Sequence, residues 1–372
     1  MRTTRLFALA LGTAASLMLA GCATTAQTAQ TAAAPASTAA QTSAAAELRL
    51  GYFANVTHAT PLVGVDNGDF AKELGGTALK TQVFNAGPAA VEALFAGALD
   101  ATYIGPNPAV NAFAKSKGAA IRIVAGATSG GAALVVKPEI TDVQGLRGRW
   151  IASPQTGGTQ DIALRNQLSR SGFTVDERGA GDVTIIAQEN AQTLQLFKSG
   201  GIDGAWVPEP WASRLVLEGG GKVLIDEADL WPDGRFVTTH LVVRTQYLAD
   251  HPQTVTALLR GQLAANGLIR REPEQAKRIV NTALERLTQK SLAPATLDRA
   301  FAQIEVTEDP IASSLKTSAE HAFKTGLVDE VDLTGIYDLR LLDQLAGTTT
   351  DTAGLGVEAL QNRATPTGRN KS

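Results

Sequence analysis

Apolar and polar positions along this chain change period repeatedly. Glu47 to Phe53 alternates like a strand, and Pro61 to Leu74 carries Leu62, Val65, Phe70 and Leu74 at helical spacing. Leu79 to Phe84 predicts a second strand, Pro88 to Ala98 a helix, Ala101 to Ile104 a third strand and Ala109 to Lys117 another helix. The order then returns: strand at Arg149 to Ala152, helix at Thr159 to Ser171, strand at Val183 to Ala187, helix at Asn190 to Lys198, strand at Asp203 to Val207, helix at Trp211 to Leu217. Alternation of this kind argues for an α/β fold with mainly parallel sheets. Thr238 to Arg244 reads as a further strand, and amphipathic helices follow at His251 to Arg270, Pro273 to Leu287 and Pro294 to Gln303.

The return extends to particular residues. Leu94-Phe95, Asp100 and Pro106-Asn107-Pro108 recur as Leu196-Phe197, Asp203 and Pro208-Glu209-Pro210. A repeated Pro-x-Pro at the same strand end favours two similar lobes over a chance likeness of composition. The expected lobes are 47–136 with 238–346, and 137–237, joined by two crossings that leave a hinged cleft for a small ligand.

The ends read differently. Arg2 and Arg5 precede an uncharged run, Leu6 to Ala20, that is shorter than the ~20 apolar residues a spanning helix needs. Residues 1–21 therefore read as a secretory signal. Leu19-Ala20-Gly21-Cys22 resembles a bacterial lipobox, in which the Cys thiol is acylated after cleavage before it. Cys22 is the only Cys in the chain, so no intrachain disulfide braces the fold. Residues 22–46 lack charge, aromatics and large aliphatics and read as a disordered, lipid-anchored linker. The Thr-rich stretch 347–372 reads as a loose tail.

Net charge is −3, with no basic stripe, so nucleic acid is not an expected partner. The four His residues show no metal-ligand spacing, and neither a metal nor a cofactor is expected. Gly-x-Ser-x-Gly, a Walker loop and a strand-linked Gly-x-Gly-x-x-Gly are all missing, and no nucleophile–base pair stands out, which argues against an enzyme.

In open α/β sheets ligands sit beyond the carboxyl ends of the strands. The candidate ligand-binding residues at those ends are Asn55, His58, Asn107, Thr128, Ser129, Gly130, Thr156, Gly158, Thr159, Glu209, Trp211 and Thr239. They are rich in neutral donors and poor in Lys and Arg. Several open helices, whose free N–H groups attract anions, and the same residues also suit ordinary caps and turns. His58 is either a donor to an anion or a cap. Trp211 is placed to wall an apolar tail. Glu209 would repel an anion unless it pairs with a cation such as Arg235 or meets an amine on a zwitterionic ligand.

At these loops the chain resembles a known family. Leu50-Gly51-Tyr52-Phe53 through His58, Tyr103-Ile104-Gly105-Pro106-Asn107-Pro108, Ala127-Thr128-Ser129-Gly130-Gly131 and Trp206-Val207-Pro208-Glu209-Pro210-Trp211 are similar to the periplasmic binding proteins of ABC importers for aliphatic sulfonates, taurine and nitrate. The resemblance covers most of 47–345. It implies two α/β lobes of the type II periplasmic binding protein fold, closing on a small anionic solute, an aliphatic sulfonate first among them. It also implies a monomer that docks on a permease whose ATPase is a separate chain. With Cys22, that places the protein in the cell envelope, facing the periplasm or exterior and held to a membrane by lipid alone. Taurine, nitrate and a thiamine-precursor pyrimidine remain alternative ligands, and an enzyme or a sensor on the same fold remains an alternative role.

Overall fold

The computed structural model describes residues 44–364. The signal segment, Cys22 and the linker up to residue 43 lie outside the described residues. Strands are numbered along the chain: β1 (Glu47–Phe53), β2 (Ala78–Phe84), β3 (Ala101–Ile104), β4 (Ile121–Gly130), β5 (Ala132–Val136), β6 (Trp150–Ser153), β7 (Thr184–Ala187), β8 (Gly204–Pro208), β9 (Lys222–Asp226), β10 (Val237–Arg244) and β11 (Ile304–Val306). They form two sheets, ordered β11-β4-β10-β3-β1-β2 and β7-β6-β8-β5-β9. Each sheet is packed with helices, so the chain builds two α/β lobes.

Both sheets share one plan. A parallel trio, β2-β1-β3 or β7-β6-β8, is extended on one side by antiparallel strands, β10 and β4 or β5 and β9. The sheets are therefore mixed rather than mainly parallel. The cause is the route of the chain: β5 and β10 each follow a crossing between lobes and run against their trio, and β9 and β4 reverse direction again beside them. The repeat seen in the sequence has a matching hydrogen-bond device. Asp100 accepts from the Arg49 backbone N–H at 2.9 Å and from its guanidinium at 2.6 Å. Asp203 accepts from the Trp150 N–H at 2.9 Å and from the Arg149 guanidinium at 3.0 Å. Each Asp thus ties the start of one parallel strand to the start of its neighbour.

Apolar side chains fill both faces of each sheet. Leu48, Leu50, Tyr52, Tyr103 and Leu241 lie on one face of the larger sheet, with Ile104, Val110, Ile123 and Val242 on the other. In the smaller sheet Val135, Phe197 and Val207 oppose Leu134, Leu164 and Trp206. Three local outcomes differ from the sequence pattern. The single helix expected over 61–74 is two, Ala59–Asp66 and Asp69–Leu74. Gly68 between them adopts φ +80°, the left-handed conformation that ends helices and that glycine tolerates best. Packing starts before Glu47: Ala45 is buried and its N–H donates to Thr254 Oγ1 at 2.8 Å. Beyond Gly347, Leu355 is buried and its carbonyl accepts from Gly335 N–H at 2.9 Å, ahead of the helix Val357–Ala364.

The lobes meet where β4 passes into β5. Gly130 and Gly131 both have positive φ, and a Cβ on Gly130 would lie 2.7 Å from the Gln303 carbonyl. Backbone approach at that joint leaves no room for a side chain.

Candidate functional site

The carboxyl ends of β1, β2, β3, β6 and β8 converge between the two sheets. They surround a cavity lined by Phe53, Asn55, His58, Asn85, Gly105 and Thr159, together with Thr57, Ala86, Pro154, Gln160, Asn190, Pro208, Thr238 and Thr239. No Lys, Arg, Asp or Glu is among them. The cavity volume is ≈ 30 Å³, room for two or three waters at about 10–15 Å³ each, which suits the head group of a small anion.

His58 is buried at the start of the helix Ala59–Asp66. Burial pushes its imidazole down to about 3, so the ring is neutral at physiological pH. Its Nδ1 accepts from the Phe53 N–H at 3.3 Å, which leaves the ring proton on Nε2. His58 is thus an uncharged donor at the cavity. Asn55 lies one turn earlier. Its Oδ1 accepts from Trp211 Nε1 at 2.8 Å, a hydrogen bond that runs from the β1 end to the β8 end and joins the lobes. The indole is engaged on its face as well, with the Arg214 guanidinium 4.7 Å from the ring centre.

Thr159 opens the helix Thr159–Arg170 and faces Gly105 so closely that a Cβ there would meet its Oγ1 at 2.1 Å. The loop before it is held by Asp161. Its carboxylate accepts from Ser153 Oγ, from Gly157 N–H and from Arg165 Nε, each at 2.9 Å. Gly158 N–H donates to the Gln155 carbonyl at 3.0 Å. The N–H groups of 157 and 158 are therefore spent within the loop, while Thr159 and Gln160 border the cavity.

Of the twelve expected binding residues, Asn55, His58, Thr159 and Thr239 line the cavity, and Trp211 adjoins it through Asn55. The others lie elsewhere. Thr128 Oγ1 donates to the Thr57 carbonyl at 2.7 Å, and that carbonyl also takes Thr239 Oγ1 at 3.1 Å. Ser129 and Gly130 belong to the β4 ladder with β11, and Gly130 also accepts from Thr238 Oγ1. Asn107 Nδ2 donates to the Ser318 carbonyl at 3.0 Å. Thr156 is exposed and Gly158 is a helix cap. Glu209 does not meet Arg235, which sits 3.8 Å from Glu305 and from Asp309. Its buried carboxyl accepts from Ser213 N–H and Oγ, each at 3.0 Å, and burial raises it to about 7 against those bonds and the nearby Arg299.

Asn85 and Asn190 were not among the expected residues. Each follows an outer parallel strand, β2 or β7, so the rule that placed the other loops would have found them. Asn190 is buried and its Oδ1 has no partner among the described residues. Among the described residues no group of three metal-ligating side chains occurs, and no helix is long and apolar enough to cross a membrane.

The model of the NMT1-like family matches residues 41–284. The taurine-binding periplasmic protein of Escherichia coli (strain K12) is 30% identical over 197 residues, 53% of this chain and 58% of that protein. The alkanesulfonate-binding protein of Xanthomonas axonopodis pv. citri, solved bound to MOPS, superimposes with a TM-score of 0.64 at 22% identity, covering 77% of this chain and 96% of that one. The periplasmic nitrate-binding protein of Synechocystis PCC 6803 does so with a TM-score of 0.64 at 17% identity, covering 86% and 88%. At these identities the two structures establish the shared fold.

Proposed function

Because the chain belongs to the NMT1-like family, we propose that it is the solute-binding component of an ABC importer and captures a small oxyanion, an aliphatic sulfonate first among them, between its lobes. One observation carries the reading: a cavity at the strand ends of both sheets, lined by neutral donors and no charged side chain. An anion held by dipoles and neutral N–H or O–H groups is bound without a full countercharge, which suits reversible capture. The relatives named for taurine and sulfonates support the anionic class. A zwitterionic member has its own support, because the unpartnered Asn190 Oδ1 would accept from an amine. Glu209 does not line the cavity, and its carboxyl is engaged by Ser213 N–H and Oγ.

The first lobe in this reading is 44–130 with 237–364 and the second is 132–235, because β5 lies in the smaller sheet and the chain beyond Gly347 packs on the larger one; the sequence boundary at 136 and the tail from 347 are corrected accordingly. Isothermal calorimetry on a fragment starting at Ala44 tests the ligand class. Heat is expected with at least one of ethanesulfonate, taurine, nitrate and bicarbonate. A pyrimidine that binds while all four anions stay silent would sink the reading.

The envelope location rests on Cys22, with a cleaved signal at 1–21 and a linker that ends before the packed Ala45. Cys22→Ala is expected to move the protein from the membrane fraction to the soluble fraction on fractionation. A variant that stays membrane-bound would rule out lipid as the sole anchor.

A further inference from the structure

A second and larger cavity, ≈ 600 Å³, lies between the far ends of two helices, Thr159–Arg170 from the smaller-sheet lobe and Ala312–Lys324 from the larger-sheet lobe. Eleven residues separate Thr159 from Arg170, so it sits about 16 Å along the helix from the strand-end site at 1.5 Å per residue. Its floor is apolar: Leu168, Phe173 and Val175. Arg170, His321 and Lys324 stand at its walls, and no carboxylate lines it. Neither Arg170 nor Lys324 has a carboxylate within 4.0 Å among the described residues. Arg165 also reaches the groove, but its guanidinium is spent on Asp161 at 2.9 Å and on the Asp176 carbonyl at 2.7 Å.

The magnitudes favour an anion. Both helices end here, and each C-terminus presents about half a negative charge. Together they offset roughly one of the two positive charges of Arg170 and Lys324, and the nearby Asp182, which accepts from the lining Thr174, is itself paired with Arg147, so the unpaired charges on the lining are positive. The mutual crowding of cations shows at His321, whose imidazole is lowered by burial first and then by Lys324 and Arg170, against Glu320. His321 is also packed on Trp231, ring centres 5.8 Å apart, so it is fixed at the seam between lobes.

We propose that this groove is a second ligand site, specific for a small organic anion with an apolar body, with the anionic group between Arg170 and Lys324 and the body on Phe173, Leu168 and Val175. One wall comes from each lobe, so an occupant bridges them.

Phenyl phosphate is the probe, titrated into the full chain by calorimetry and by NMR of the His321 ring. Saturable binding that shifts the His321 signals is expected, weaker for inorganic phosphate and for phenol, and absent for benzylamine. The double variant Arg170→Gln, Lys324→Gln should bind phenyl phosphate about fivefold less tightly or worse, because two exposed charge contacts are lost. Raising the ionic strength should weaken binding to the unaltered chain, a check that needs no variant. Binding that ignores salt, benzylamine that binds as well as phenyl phosphate, or titration without any change at His321 would each overturn the proposal.

Discussion

Asp161→Ala is expected to destabilise the protein by about 3–5 kcal/mol, the usual cost of leaving one partner of a buried ion pair alone. Arg165 is the partner left behind. Side-chain exposure is 6% for Arg165 and 1% for Asp161, so the stranded guanidinium would be poorly solvated. Arg165 would keep its bonds to the carbonyls of Asp176 and Glu177, but these carry no net charge. The same substitution frees Ser153 Oγ and Gly157 N–H, which fix the loop before Thr159. Ligand binding should therefore fall together with stability. Denaturant titration reads the first effect and calorimetry the second. Adding Arg165→Met to Asp161→Ala should restore much of the stability, since the stranded charge goes too. A single variant within about 1 kcal/mol of the parent, or a double variant no better than the single, would contradict this account.

Glu227→Gln should stabilise the protein at pH 8 and leave it nearly unchanged at pH 4.5. Glu227 is buried and accepts from Trp206 Nε1 at 2.7 Å. Burial lifts its carboxyl from the ordinary 4.5 to about 7, more than the bonds from Trp206 and Trp231 lower it. A carboxyl raised on folding contributes stability that is complete below about pH 4.5 and is lost as pH rises through about 7. The loss amounts to roughly 3 kcal/mol at 1.36 kcal/mol per tenfold change in proton affinity. Glutamine stays neutral and keeps a carbonyl for the Trp206 indole, so the variant escapes that loss. Glu209, also raised to about 7, adds a second loss in the same window. His58 and His240 act in reverse. Burial lowers them to about 3 and about 4, so their stability is present above pH 6.5 and lost as pH falls toward those values. Between pH 4.5 and 6.5 the two carboxyls and two imidazoles oppose one another, and their net contribution there should be nearly flat. Denaturation midpoints at several pH values test both statements. Equal midpoints for parent and variant at pH 8 would refute the assignment to Glu227.

The two-lobed plan was legible because strand-like and helix-like periods are local, and because Asp100 and Asp203 recur with their Pro-x-Pro neighbours. The antiparallel strands were not, since strand direction depends on where the chain crosses between lobes. Position at a strand end singled out Asn55, His58, Thr159 and Thr239, which line the cavity. It could not tell which hydroxyls would be consumed by nearby carbonyls, and Thr57 O alone takes those of Thr128 and Thr239. Nor could it see that Glu209 has Ser213 one helical turn on as its own partner. Asn85 and Asn190 follow the outer strands β2 and β7, so strand-end position marks them as well.

The joint at Gly131 bears on mechanics. One residue separates β4 of one sheet from β5 of the other, and the chain returns between lobes at Phe236, just before β10. Two points define a line. Whatever swing the lobes have relative to each other is easiest about that axis, because any other rotation must stretch one crossing or compress it. A lobe hung this way has a single soft angle, so the opening of the cleft reduces to one coordinate that a spectroscopic ruler across Asn55 and Trp211 would follow.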